Sequence, residues 1–225
     1  MLFDIGANAG SYTLANVAKY SRVICVDASR LQCSVMHSRL PPAKCTIIHA
    51  LVSNDKNAKF YFCRHAAGLN YDGINYSGIS TASKEWISGK GRFAPGNKYN
   101  DPNMVWEEEE TRVVSLDDLV ALFGEPTFIK IDVEGHEREV IYSLTKFSGT
   151  LAFEWAEEMK QETLDAIYHL SDVLGYTRFY VQDGDAYAFE PKDEEFVSKT
   201  ELLERIETTW KPERQEIWGM LWCKP

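Results

Sequence analysis

Apolar residues come first as a run and then at intervals. Residues 1–5 form a short hydrophobic stretch, broken only by Asp4 and closed by Gly6. Such a run, bounded by a glycine, predicts a buried strand. Over residues 11–20 the apolar positions Leu14, Val17 and Ala18 return three or four apart, which predicts a helix with those side chains on its inner face. Residues 22–26 are apolar apart from Arg22 and run into Asp27, a second strand. Residues 29–40 return to helical spacing and stop at Pro41-Pro42. Residues 45–51 predict a third strand, and residues 59–63 a fourth. Strands and helices alternating at this spacing predict parallel βαβ units, with ligands at the carboxyl ends of the strands.

From residue 64 to about residue 110 the pattern fades. Gly, Asn, Ser and Tyr dominate, as in Gly68-Leu69-Asn70-Tyr71-Asp72-Gly73. A segment this long without regular elements inside a compact domain is commonly functional, and it reads as a lid or substrate loop in a single domain spanning residues 1–225. Tyr71, Tyr76, Trp86 and Trp106 are expected to be exposed there, as rings suited to stacking on sugar faces. Order returns with a strand at 111–114 and a helix capped by Ser115, with Asp117 and Asp118 in its first turn and Gly124 behind it. Further on, strands are predicted at 128–131 and 150–154, and helices at 136–144, 161–174 and 200–209. A hairpin pairing 177–181 with 186–189 around Asp183-Gly184 and a final strand at 217–223 complete the reading.

The 225 residues carry 44% hydrophobic residues, enough for one ordinary core. The formal net charge is -10, so a polyanion such as nucleic acid is a poor partner. The acidic run Glu107-Glu108-Glu109-Glu110 reads as a solvated loop. Five cysteines without a C-x-x-C pair argue against a zinc site or a disulfide framework. With no membrane-length apolar run and no basic-then-apolar leader, the expected location is the cytoplasm, away from membranes.

Chemistry concentrates at the ends of the predicted strands. Gly6 and Gly10 let the backbone bend and come close to a ligand. The helix behind them directs free N–H groups at that ligand. The spacing is G-x-x-x-G, not the G-x-G-x-x-G of dinucleotide folds. Asp4 would repel a pyrophosphate and suits an ammonium. Asp27, about twenty residues beyond the glycines, is placed to accept from a ribose diol. Ala50, Leu51 and Val52 offer an apolar wall. Asp132, Glu134 and His136 alternate where a buried strand opens. If that segment stays extended they share one side, suited to a general base or to a hydrated metal. The bland alternative is a helix cap, with Glu134 and Glu137 on the helix dipole.

Two segments, Phe3-Asp4-Ile5-Gly6-Ala7-Asn8-Ala9-Gly10 and Ile129-Lys130-Ile131-Asp132-Val133-Glu134-Gly135-His136-Glu137, resemble the FkbM family of methyltransferases in order and separation. Val113-Val114-Ser115-Leu116-Asp117-Asp118-Leu119 and Leu151-Ala152-Phe153-Glu154 are similar to that family's intervening and following segments. The resemblance implies a class I, Rossmann-like α/β fold: a mostly parallel seven-stranded sheet, its last strand antiparallel, with helices on both faces. It implies S-adenosylmethionine as cofactor, S-adenosylhomocysteine as product, and methyl transfer to a hydroxyl of a sugar, a glycan or a glycosylated natural product. Carried over, Asp4, Gly6, Asn8 and Gly10 hold the methionine end, with Ala7 and Ser11 beside them. Asp27 with Ala28 takes the ribose, and Ala50, Leu51, Val52 and Ser53 flank adenine. Asp132, Glu134 and His136 line the transfer site, with His136 or Asp132 as base and Glu134 orienting it. A divalent metal on Asp132 and Glu154 is the other mechanism. Asp27-Ala28 stands where the family often has Glu-Pro, and the shorter acid can still hold a diol. Family members usually carry a helix before the glycine motif, so the chain is expected to be an excerpt of a longer polypeptide, with fusion to glycosyltransferase domains in view. A nicotinamide-dependent oxidoreductase and a non-catalytic module on the same fold are the competing readings.

Overall fold

The structure, a computed structural model, describes every residue except Lys98, Pro212, Glu213, Gln215 and Glu216. The first half builds β1 (Leu2–Ile5), α1 (Ser11–Asn16), β2 (Val23–Asp27), α2 (Arg30–Arg39) and β3 (Cys45–His49). It continues with β4 (Leu51–Val52), β5 (Phe60–His65), β6 (Asn70–Tyr71), β7 (Ile74–Asn75), α3 (Lys84–Ile87) and β8 (Met104–Glu109). Then follow β9 (Val113–Val114), α4 (Leu116–Phe123), β10 (Phe128–Ile131), α5 (Glu137–Tyr142), β11 (Thr150–Ala156) and α6 (Lys160–Asp172). The chain ends with β12 (Arg178–Asp183), β13 (Val197–Ser198), α7 (Lys199–Thr209) and β14 (Trp218–Lys224).

The main sheet runs β13-β12-β14-β11-β10-β1-β2-β3. β3, β2, β1, β10 and β11 are parallel, and β14 lies antiparallel to both β11 and β12. The expected seven strands are present, and the two-residue β13 adds an eighth at the edge. β1 and β10 are buried at every residue because helices cover both faces. Phe3, Ile5, Ile129 and Ile131 face α4 to α7, where Leu119, Ile141, Ile167 and Ile206 pack. Leu2, Val23, Cys25 and Phe128 face α1 and α2, with Tyr12, Cys33 and Met36. The chain leaves β1 toward β2 on one side and pairs with β10 on the other, which opens a crevice at the carboxyl end of β1.

Several expectations change. α1 has only six residues, and its inner face is Tyr12, Thr13 and Asn16, while Leu14 is 39% exposed. The third strand breaks at Ala50, and β4 peels away to pair with β9. Residues 186–189 form no strand. β12 takes β14 and β13 as partners instead, because Phe179 and Val181 bury against the main sheet. The described residues of 64–110 carry short strands and helical turns rather than a bare loop. β5 pairs antiparallel with β8, so Glu107 to Glu109 lie on a strand, with Lys59 bonded to Glu108 and Arg64 to Glu107. Tyr76 and Trp86 are buried with Cys63, Ile79 and Phe93 in a small core that rests on Ala156 and Met159. Trp106 packs half-buried against that core. Of the four aromatics expected at the surface only Tyr71 is exposed, at 47%, stacked 3.9 Å above His65. No helix among the described residues is long and apolar enough to cross a membrane.

Candidate active site

The turn after β1 is shaped by the strand end it touches. Gly6 has φ of 72°, and a Cβ there would lie 1.8 Å from the carbonyl oxygen of Asp132. No other residue type fits without displacing the end of β10. The amides of the turn are largely used internally. Gly6 and Ala7 both donate to the carbonyl of Val26, at 2.9 and 3.1 Å, and Gly10 donates to that of Ala7 at 2.8 Å. Asn8, at φ 48°, donates its amide to Asp27 Oδ2 at 2.7 Å. These four amides are therefore not free; the turn contributes shape and holds Asp27, and the amides that open α1 are the ones left without a helical partner.

Asp27 ends β2, with Oδ1 accepting from the Ser29 amide at 2.8 Å and Oδ2 from Asn8. Ser29 in turn caps α2. Each carboxylate oxygen keeps spare acceptor capacity. Burial pushes its pKa up to about 6, against the two backbone hydrogen bonds that pull it down.

A cavity of about 270 Å³ opens over these residues. Gly6, Ala7, Asn8, Ser11, Asp27, Ala28, Ala50, Leu51 and Val52 all line it, so the structure gathers most of the expected cofactor contacts around one space. Gly10 lies just outside, at the start of α1 against Leu40. Sequence reasoning missed Phe60 and Ala82, which extend the apolar wall, and Asn75, Ser77 and Ser80, which bring the insertion over the opening. Gln32 Nε2 donates to Ser77 Oγ at 3.2 Å and ties the insertion to α2. Tyr187 closes the other side, its backbone carbonyl held by Asn16 Nδ2 at 2.8 Å across 171 residues.

Asp4 does not reach the cavity. It is fully buried, its Oδ2 accepts from Thr13 Oγ1 at 2.6 Å, and its Oδ1 has no hydrogen-bond partner. Burial raises its pKa, opposed by Lys130. Lys130 does line the cavity, with Nζ 2.8 Å from Asp132 Oδ2 and 3.9 Å from Asp4 Oδ1. Burial works against its charge, but Asp132 and Asp4 outweigh it and its pKa is raised. A lysine in the apolar strand Phe128-Ile129-Lys130-Ile131 was the available signal, since an ammonium is buried only with partners.

Asp132 and Glu134 line the cavity; His136 does not. Glu134 and Gly135 both have left-handed backbones, at φ 57° and 89°, so the segment turns and the expected alternation is lost. His136 is carried below the surface to the start of α5. Its Nε2 sits 3.1 Å from Ser53 Oγ and its Nδ1 3.7 Å from Glu139, and burial lowers its pKa. The same contact takes Ser53 off the cavity wall. Glu137 accepts from the amides of Val133 and Gly135 and fixes the turn. Burial pushes Glu134 up to about 8, against the pull of Arg92. Glu154 is raised well above its ordinary value by burial and then by Glu134.

Ligand atoms of Asp132, Glu134 and Glu154 lie within 4.8 Å of one another, a spacing open to a metal. Arg92 from the insertion already stands among them, 3.2 Å from Glu134 Oε2 and 3.8 Å from Glu154 Oε1. The donor set does not fit a divalent ion while that guanidinium is in place.

The sheet order, the crevice and the strand-end acids describe a class I methyltransferase architecture. The model of the methyltransferase FkbM domain matches residues 4–177, and the chain belongs to that family. A crystal structure of a methyltransferase FkbM from Methylobacillus flagellatus KT is similar with a TM-score of 0.50 and 13% identity, covering 99% of this chain and 43% of that one. The chain therefore spans less than half the length of that relative. An S-adenosylmethionine-dependent methyltransferase from Clostridium acetobutylicum ATCC 824 aligns at a TM-score of 0.34 with 10% identity, covering 99% of this chain and 82% of that one. The plantazolicin methyltransferase BamL, in complex with a triazolic desmethylPZN analog and SAH, aligns at 0.38 with 9% identity, covering 99% and 75%. No curated protein matches the chain.

Proposed function

We propose that the chain is an S-adenosylmethionine-dependent O-methyltransferase acting on a hydroxyl of a sugar, a glycan or a glycosylated natural product. The observation that carries the reading is Asp27: a buried carboxylate at the end of β2, steadied by two amides, facing a cavity that the glycine turn and an apolar wall enclose. A ribose diol on Asp27 places adenine against Ala50, Leu51, Val52 and Phe60. The methionine end then lies over Gly6 to Ser11, near Lys130 and Asp132. The glycine spacing G-x-x-x-G, in place of G-x-G-x-x-G, disfavours a nicotinamide dinucleotide. Five buried free thiols suit a reducing compartment such as the cytoplasm. The sugar preference follows the family, and fusion to glycosyltransferase modules belongs to the same reading.

When bound, S-adenosylmethionine supplies a methyl group on a positively charged sulfur, ready for in-line displacement. The protein must align the acceptor and remove its proton. Glu134 is the base in this reading. It lines the cavity, Arg92 holds one of its oxygens, and burial strengthens its hold on a proton. Asp132, anchored on Lys130, orients the acceptor hydroxyl. The insertion excludes water through Asn75, Ser77 and Ser80. His136 has no part in the reaction. Calorimetric titration with S-adenosylhomocysteine and with NADH separates the two cofactor classes. Labelled S-adenosylmethionine with a panel of sugars and glycans then identifies the acceptor. Binding of NADH alone would overturn the reading.

A further inference from the structure

The insertion meets the acidic cluster through one cation. Arg92 belongs to the 3-10 turn Gly91–Phe93, and its side chain is 10% exposed. Its Nε donates to Glu158 Oε1 at 3.0 Å and its Nη1 to Glu134 Oε2 at 3.2 Å, while Nη2 lies 3.8 Å from Glu154 Oε1. The guanidinium carbon stands 4.3 Å from the ring centroid of Trp86. Trp86 presses on the turn that carries Glu134, since a Cβ on Gly135 would lie 2.7 Å from its ring. Thr81 of the same insertion donates to the Glu134 carbonyl at 2.6 Å. One guanidinium therefore joins three carboxylates from the ends of β10 and β11 and from the turn after β11. The planar fork suits this task, because it offers five donors in fixed directions.

We propose that Arg92 is the resident cation of this cluster, holding Glu134 and Glu154 where a divalent ion would otherwise bind, so that docking of the insertion, and not a metal, positions Glu134. A divalent ion bound to the same carboxylates would meet the guanidinium at close range, and two cations cannot share them in a buried setting. Removing the guanidinium should leave Asp132, Glu134 and Glu154, whose ligand atoms lie within 4.8 Å of one another, as a donor set for a hard cation. The inference rests on the proposed function only in assigning Glu134 to the transfer site; ion binding is read independently of any methyl transfer.

The test is a Mn²⁺ titration of the whole chain, following free Mn²⁺ by electron paramagnetic resonance. Wild type and Arg92→Lys should show no saturable site. Arg92→Ala should acquire one, and the added change Glu154→Gln should abolish it. Where methyl transfer is measurable, wild-type turnover should survive chelation. Arg92→Ala should then lose kcat with S-adenosylhomocysteine affinity retained, and Arg92→Lys should restore part of it. A single Mn²⁺ site in wild type, lost in Glu154→Gln, would overturn the proposal and needs no Arg92 variant to fold. A folded Arg92→Ala that takes up no Mn²⁺ would overturn it as well.

Discussion

Replacing Asp27 with Asn keeps the side chain's size and removes one acceptor oxygen. One of the two amides now at 2.7 and 2.8 Å would face an NH₂ group, and the ribose would lose a charged acceptor. A hydrogen bond to a charged group contributes about 1.5–3 kcal/mol, and leaving a buried N–H unpaired costs about 1–3 kcal/mol. The first figure bears on affinity and the second on stability. At about 1.4 kcal/mol per factor of ten, S-adenosylhomocysteine should bind Asp27→Asn about 10- to 150-fold more weakly. Acid adds an independent handle. Asp27 in the free protein takes up a proton near pH 6, and the protonated acid is the poorer partner for a diol. Wild-type affinity should therefore be full above that pH and fall as the pH drops through it, while Asp27→Asn should lack this step. Isothermal calorimetry between pH 5 and 8 reads both effects, with unfolding curves to confirm that the variant is folded. An Asp27→Asn affinity within twofold of wild type, with the acid step retained, would refute the ribose assignment.

Glu134→Gln should lower kcat by about 10²- to 10⁴-fold, the usual contribution of a positioned base, with S-adenosylhomocysteine affinity unchanged. Because the base acts as the carboxylate, wild-type kcat/KM should rise with pH through about 8 and that limb should vanish in the variant. His136→Ala should leave turnover within a few-fold of wild type and lower Tm, since the buried Ser53 hydroxyl loses one partner, worth about 0.5–1.5 kcal/mol, while keeping the Asp55 amide; a collapse of kcat in a folded protein would return His136 to the mechanism. Gly6→Ala should lose far more stability than Gly175→Ala. Both have left-handed backbones, worth about 1–2 kcal/mol, but only Gly6 also meets the Asp132 carbonyl. Equal Tm losses in the two would contradict that close approach.

Much of this site was readable because its parts are local. A strand running into Gly6 and one ending at Asp132 are features of neighbouring residues, and so is the Ser115 cap, whose side chain accepts from Asp118 at 3.0 Å. Asp27 was legible for the same reason: an acid directly after an apolar run stands at a strand's carboxyl end. Asp4 was misread because alternation along β1 sends Leu2 and Asp4 to the α1 face, beneath the turn, where Thr13 satisfies one oxygen. His136 was misread because two successive left-handed residues intervene, and a non-glycine at φ 57° is not foreseeable from periodicity.

The sequence by itself determined the alternation of strands and helices that builds the parallel half of the sheet, the place of the glycine turn and the acids at the strand ends, since each depends on contacts a few residues apart. Tertiary structure decided which of those groups share a cavity. Gly6 is irreplaceable only because β10 lies beside β1 and brings the Asp132 carbonyl to it. Lys130 becomes part of the cavity lining only because Asp4, from the neighbouring strand, flanks it. Arg92 meets Glu154 across a sequence separation of 62, through an insertion whose core of Trp86, Tyr76 and Phe93 shows no regular period in sequence. Contacts of that range are set by how layers pack, and packing depends on partners that no local window contains.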